Sequence, residues 1–81
     1  MPLVNVKLIE GVFTQTQKQE MIRKLTDTMV SIERENLRQV TWVVIEEVKN
    51  GDWGVGGTPL TTNDVMALKA GKSKGAKAEA M

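Results

Sequence analysis

Three stretches of the chain carry apolar residues at a recognisable spacing, and each predicts an element. Leu3, Val4, Val6, Leu8 and Ile9 crowd the first eleven residues, the partly β-branched content of a strand apolar on much of both faces. Pro2 opens it, where a missing N–H costs least, and Gly11 punctuates its end. Thr14 followed three residues later by Gln17 predicts a capping box, which satisfies two orphan N–H groups at a helix start. Met21, Ile22, Leu25, Met29 and Ile32 then recur at helical spacing among Lys18, Glu20, Arg23, Lys24 and Asp27. A helix is expected from Gln15 to Arg34, its apolar stripe in the core and its charges in water, with Asn36 as the stop.

The second strand is expected between Leu37 and Val48. Val40, Thr41, Trp42, Val43, Val44 and Ile45 form a nearly continuous apolar run suited to a strand buried on both faces. Strand, helix and strand in so short a chain imply a right-handed crossover and a parallel pair. Asn50-Gly51 is a turn signal, and Gly54, Gly56 and Gly57 permit positive φ or the close approach of another backbone. With no helix directly after them, these glycines do not frame a phosphate. Trp53 alone breaks the glycine run; it reads either as an anchor at a subunit contact or as the wall of a pocket. Thr61-Thr62-Asn63-Asp64 can cap a short helical turn through Leu68. The organisation expected is one domain over 1–67 and a basic, disordered tail over 68–81 that lacks any apolar stripe.

Composition narrows the chemistry. Eighty-one residues make one small domain, of a size that often needs disulfides, a metal or oligomerisation for stability. The absence of cysteine and histidine removes disulfides, a structural zinc site and a His-based triad, so no metal site is expected. Oligomerisation remains. Two strands and one helix cannot cover both sheet faces, which points to an oligomer independently of size. No run is as long as a membrane span, and the start carries Pro2 and Asn5 rather than a basic n-region, so a cytoplasmic protein without a membrane partner is expected. Lys69, Lys72, Lys74 and Lys77 against Glu79 give the tail a net charge of +3; against +1 for the whole chain, the rest stands at −2. That body carries no nucleic-acid footprint.

Pro2 supports two readings. It can simply open an edge strand. If Met1 is removed, it becomes a free secondary amine on a rigid ring, and burial then lowers such an amine's pKa toward neutrality. An amine of that kind can take a proton and return it, as general acid–base catalysis requires.

Pro2, Leu8-Ile9-Glu10-Gly11, Gln17-Lys18, Val43-Val44-Ile45-Glu46-Glu47 and Gly51-Asp52-Trp53-Gly54-Val55-Gly56-Gly57 together resemble the 4-oxalocrotonate tautomerase family over residues 2 to 57. The resemblance implies an α/β fold: a tautomerase-type β-α-β unit with a C-terminal hairpin, paired into dimers and joined as a hexamer, a trimer of dimers. It implies a cofactor-independent keto–enol tautomerase acting on a small enol or 2-keto acid, with Pro2 as general acid and base after loss of Met1. The family's hairpin aromatic, usually phenylalanine, corresponds to Trp53 and lines the active site from a neighbouring subunit.

Two departures from the family pattern define the chemistry expected here. The family's enzymes bind carboxylates with two arginines, one after the strand-ending glycine and one early in the second strand. The first position holds Val12, or Phe13 if the extra residue between Gly11 and Gln17 precedes it; the second holds Trp42. None offers a charged fork to a carboxylate, and such a loss typically costs on the order of 2–4 kcal/mol of transition-state stabilisation. Arg38 lies near the second position, but strand neighbours fall off the intended face. Val55 stands where the family's dehalogenases place a glutamate. Three expectations follow: a less charged substrate in a pocket walled by Trp42 and Trp53, a hetro-oligomer whose related subunit supplies the arginines, or a catalytically weak relative.

Overall fold

Capping chemistry fixes where both helices begin. In the computed structural model, which describes residues 1–71, Thr14 accepts from the Gln17 N–H at 3.1 Å while the Gln17 side chain accepts from the Thr14 N–H at 2.9 Å. Helix α1 then spans Gln15–Glu33. Thr61 and Asp64 repeat the box, at 3.1 and 3.0 Å, and start α2, Thr62–Lys69. The chain order is β1 (Leu3–Ile9), α1, a 3-10 segment (Glu35–Val40), β2 (Trp42–Val48), β3 (Trp53–Val55), β4 (Thr58–Leu60) and α2. This is a β-α-β arrangement followed by a strand hairpin. Leu68 and Lys69 of the expected tail close α2; residues 72–81 lie outside the described residues.

β1 and β2 are hydrogen-bonded neighbours, as are β3 and β4. Trp42 donates its N–H to the Pro2 carbonyl at 3.0 Å and Glu10 donates to Val48 at 2.9 Å, so numbering rises the same way along β1 and β2, which are parallel. Contacts group the chain into two compact units, Met1–Lys7 with Phe13–Glu46, and Leu8–Val12 with Glu47 onward.

In the first unit the strands alternate. Leu3, Asn5, Lys7, Trp42, Val44 and Glu46 are exposed, whereas Val4, Val6, Val43 and Ile45 are half-buried. The expectation of strands apolar and buried on both faces is therefore corrected: one face of the pair is open. Glu46 organises its polar end, accepting from Asn5 at 2.6 Å and from Lys7 at 3.0 Å. The second strand also starts later than expected, because residues 35–40 close a 3-10 segment. Thr41 ends it by donating its N–H to the Arg38 carbonyl at 3.2 Å. Along α1 the covered stripe runs through Met21, Leu25, Met29 and Val30, and of these only Val30 is buried. Ile22 and Ile32, placed on the stripe by spacing, are 40% and 78% exposed.

In the second unit Ile9, Val12, Leu60 and Asp64 are buried. Trp53 pairs with Leu60, Gly54 with Pro59 and Val55 with Thr58 in an antiparallel hairpin. Thr62 ties the unit together: its hydroxyl donates to the Glu10 carbonyl at 2.6 Å and its N–H to Asn50 Oδ1 at 2.7 Å. Gly11, at φ +81°, lies so near that a Cβ there would meet Thr62 Cγ2 at 3.2 Å; the position needs glycine both for its dihedral and for its space.

Candidate active site

Pro2 is half-buried, and its carbonyl is pinned by the Trp42 N–H. Sequence reading nominated both residues, forty positions apart, and the parallel ladder brings them together. Trp42 itself is 56% exposed on the open face, beside Leu3 at 61%. Tryptophan combines a large apolar area with one N–H, so its indole offers a wall rather than a cation. Trp53 belongs to the second unit, half-buried at the start of the hairpin.

The two positions where the resemblance seeks the first arginine have other duties. Val12 is 7% exposed and packs in the second unit's core. Phe13 is half-buried and lines, with Gln17, Glu20, Met21, Lys24 and Leu25, an open groove of about 380 Å³ along α1. That groove includes none of Pro2, Trp42 and Trp53.

Nearby charges are already engaged. Arg38 donates to Asp27 at 2.8 Å and also to Glu35. The Glu35 bond first, then that to Asp27, holds the guanidinium pKa above its usual value, and the Arg38 bond holds Glu35 below the usual carboxylate range. A guanidinium so committed is not a ready carboxylate fork. The hydrogen bond from Asn5, followed by that from Lys7, lowers Glu46. Among the described residues, no group of three or more acidic, cysteine or histidine side chains is placed to hold a metal ion, and no helix is long and apolar enough to cross a membrane.

Sequence reading placed the end of α1 within one residue, at Arg34, but not what is built there. There Glu33 accepts a hydrogen bond from the Thr41 hydroxyl, and Arg34 sits at φ +90°, ψ 156°, a region populated almost only by glycine and costly for other residues. No periodicity or motif signals either feature.

Parallel β-α-β followed by a short hairpin is the arrangement this chain shares with solved tautomerase-fold proteins. Residues 2–63 match the family model for the tautomerase enzyme. A protein named "Probable tautomerase" from Campylobacter jejuni is 38% identical over 74 residues, 91% of this chain and all of that one; one from Helicobacter pylori is 37% identical over 62 residues, 74% and 90% of the two chains. Among solved structures, DmpI from Helicobacter pylori superposes with a TM-score of 0.64 at 34% identity, covering 73% of this chain and 95% of that one. A 4-oxalocrotonate tautomerase isozyme from Methylibium petroleiphilum gives 0.63 at 32% identity, covering 72% and 90%. The chain belongs to the tautomerase family, in its 4-oxalocrotonate tautomerase branch, and with that membership comes a tautomerase-type isomerase.

Proposed function

We propose that the protein interconverts the keto and enol forms of a small, weakly charged enol or 2-keto acid without a cofactor, using Pro2 as general acid and base once Met1 is removed. The observation that carries this reading is the Trp42–Pro2 hydrogen bond of 3.0 Å. It fixes a rigid ring at the end of a strand, on its less exposed face, where a freed nitrogen has a defined direction. Met1 is 81% exposed, open to removal. The base takes a proton from the enol oxygen or the carbon and delivers it at the other, so it must be free at working pH yet acidic when protonated; partial desolvation favours that.

The open strand face, with Leu3, Trp42 and Val44 exposed, supports assembly into a homo-oligomer, a hexamer of paired units. In it Trp53 of a neighbouring copy supplies a second apolar wall. The residues at the arginine positions, Val12 or Phe13 with Trp42, favour a monoacid over a dicarboxylate. They also favour a second reading, in which the chain is a weak subunit completed by an arginine-bearing relative in a hetero-oligomer.

Ketonisation of phenylenolpyruvate, followed by ultraviolet absorbance on protein whose intact mass lacks Met1, tests this. Turnover above the buffer rate by the pure protein is expected. Turnover appearing only after mixing with an arginine-bearing relative overturns it in favour of the second reading.

A further inference from the structure

The end of α1 reaches the same strand end as Pro2. Trp42 donates to the Pro2 carbonyl, which sets Pro2 opposite Thr41 across the ladder at the usual spacing of about 5 Å. Nitrogen and carbonyl oxygen of an extended residue lie on the same side of the chain, so the Pro2 nitrogen is also on the Thr41 side. Pro2, Val4, Thr41 and Val43 share the less exposed face. The Thr41 hydroxyl contacts Glu33 and the Leu37 carbonyl, the latter at 2.7 Å. It has one proton, and an ionised carboxylate is the stronger acceptor. Glu33 is half-buried, and the strained Arg34 follows it directly. Backbone strain of this kind persists only where the surroundings over-determine it.

Resting on the reading of Pro2 as a free amine, we propose that Glu33 is a positioning residue for that amine. Acting through Thr41, it orients the hydroxyl so that its oxygen lone pairs face the nitrogen, and it stabilises the protonated ring electrostatically. The other charged groups there are few, and of them Arg34 offsets part of the Glu33 charge. On α1 and the 3-10 segment, Arg34 adjoins Glu33, and the Arg38 guanidinium is held by Asp27 and Glu35. β2 brings no charge before Glu46 and β1 none before Lys7, and these two pair at 3.0 Å. Glu33 thus supplies the negative charge tied to this strand end, and it favours the ammonium form of Pro2 when substrate gives up its proton.

The test is an NMR titration of isotope-labelled Pro2 in Met1-free protein, alongside the pH profile of phenylenolpyruvate ketonisation. Glu33→Gln should lower the amine's midpoint by on the order of half a pH unit and move the rate profile with it, whereas Glu33→Asp should recover part of the shift. Thr41→Val should mimic the loss and Thr41→Ser should not; this pair decides the matter if Glu33→Gln fails to fold. A folded Glu33→Gln protein, or failing that Thr41→Val, with an unmoved midpoint overturns the proposal, even if the wild type turns over. A shifted midpoint in a protein that never turns over upholds the role of Glu33 and removes only the catalytic reading. Retention of Met1 leaves no amine and overturns both.

Discussion

The two units bury their residues differently. Of the five buried residues among those described, the hairpin unit contains four, Ile9, Val12, Leu60 and Asp64, whereas the larger β-α-β unit contributes only Val30. The larger unit in turn carries Leu3, Ile22, Ile32, Leu37, Trp42 and Val44 exposed. Burial supplies most of the stabilisation a domain can obtain. Among the described residues the hairpin unit is therefore the more finished of the two, while the unit that holds Pro2 leaves more of its large apolar side chains uncovered.

The largest effect expected concerns Pro2. Pro2→Ala should lose about 10²- to 10⁴-fold in turnover, the range for a positioned acid–base group, while sedimentation shows an unchanged assembly; parallel loss of both would make Pro2 structural. Next, Leu60→Ala in the finished unit should cost about 2–5 kcal/mol by urea unfolding, whereas Ile32→Ala, 78% exposed, should cost far less in the dissociated chain. Equal costs would erase the contrast between the units. Thr61→Ala should cost about 1 kcal/mol through loss of the α2 cap, read from the same melts. The smallest effect is electrostatic. Glu46, Glu35 and Glu20 have lowered values, from hydrogen bonds chiefly with Asn5, Arg38 and Lys24 respectively. A carboxylate lowered in the folded state contributes stability above its unfolded pKa and loses it as pH falls through the folded value. Stability should therefore decline gently below the ordinary carboxylate range, and Glu46→Gln should flatten part of that decline in melts across the acidic range.

Local chemistry made the helices legible in the sequence: Thr14 with Gln17 and Thr61 with Asp64 mark both starts to the residue. The strand pair was also legible from its apolar runs, and the hairpin through the family resemblance; Pro2 and Trp53 stand out as residues, whereas Trp42 was nominated only by the position it takes in that resemblance. What was not legible depends on tertiary balance. Apolar content cannot say which strand face stays open, so Leu3 and Trp42 read as buried. Val40 has β propensity, yet it lies in a 3-10 segment held by the Thr41–Arg38 bond of 3.2 Å; tertiary context overrides such a preference. Val30 lay outside the expected stripe because residue spacing does not fix the angle a helix presents. The Glu33–Thr41 pair and the strained Arg34 leave no signature in a linear pattern.

On the proposed reading, activity belongs to the freed Pro2 nitrogen. That reading is tested most directly by preparing protein with graded fractions of chains lacking Met1, measured by intact mass, and recording phenylenolpyruvate ketonisation for each. The rate should rise in proportion to the Met1-free fraction and extrapolate to the buffer rate at zero. Equal turnover by Met1-bearing protein, in which the Pro2 nitrogen is an amide without basicity, would contradict the account.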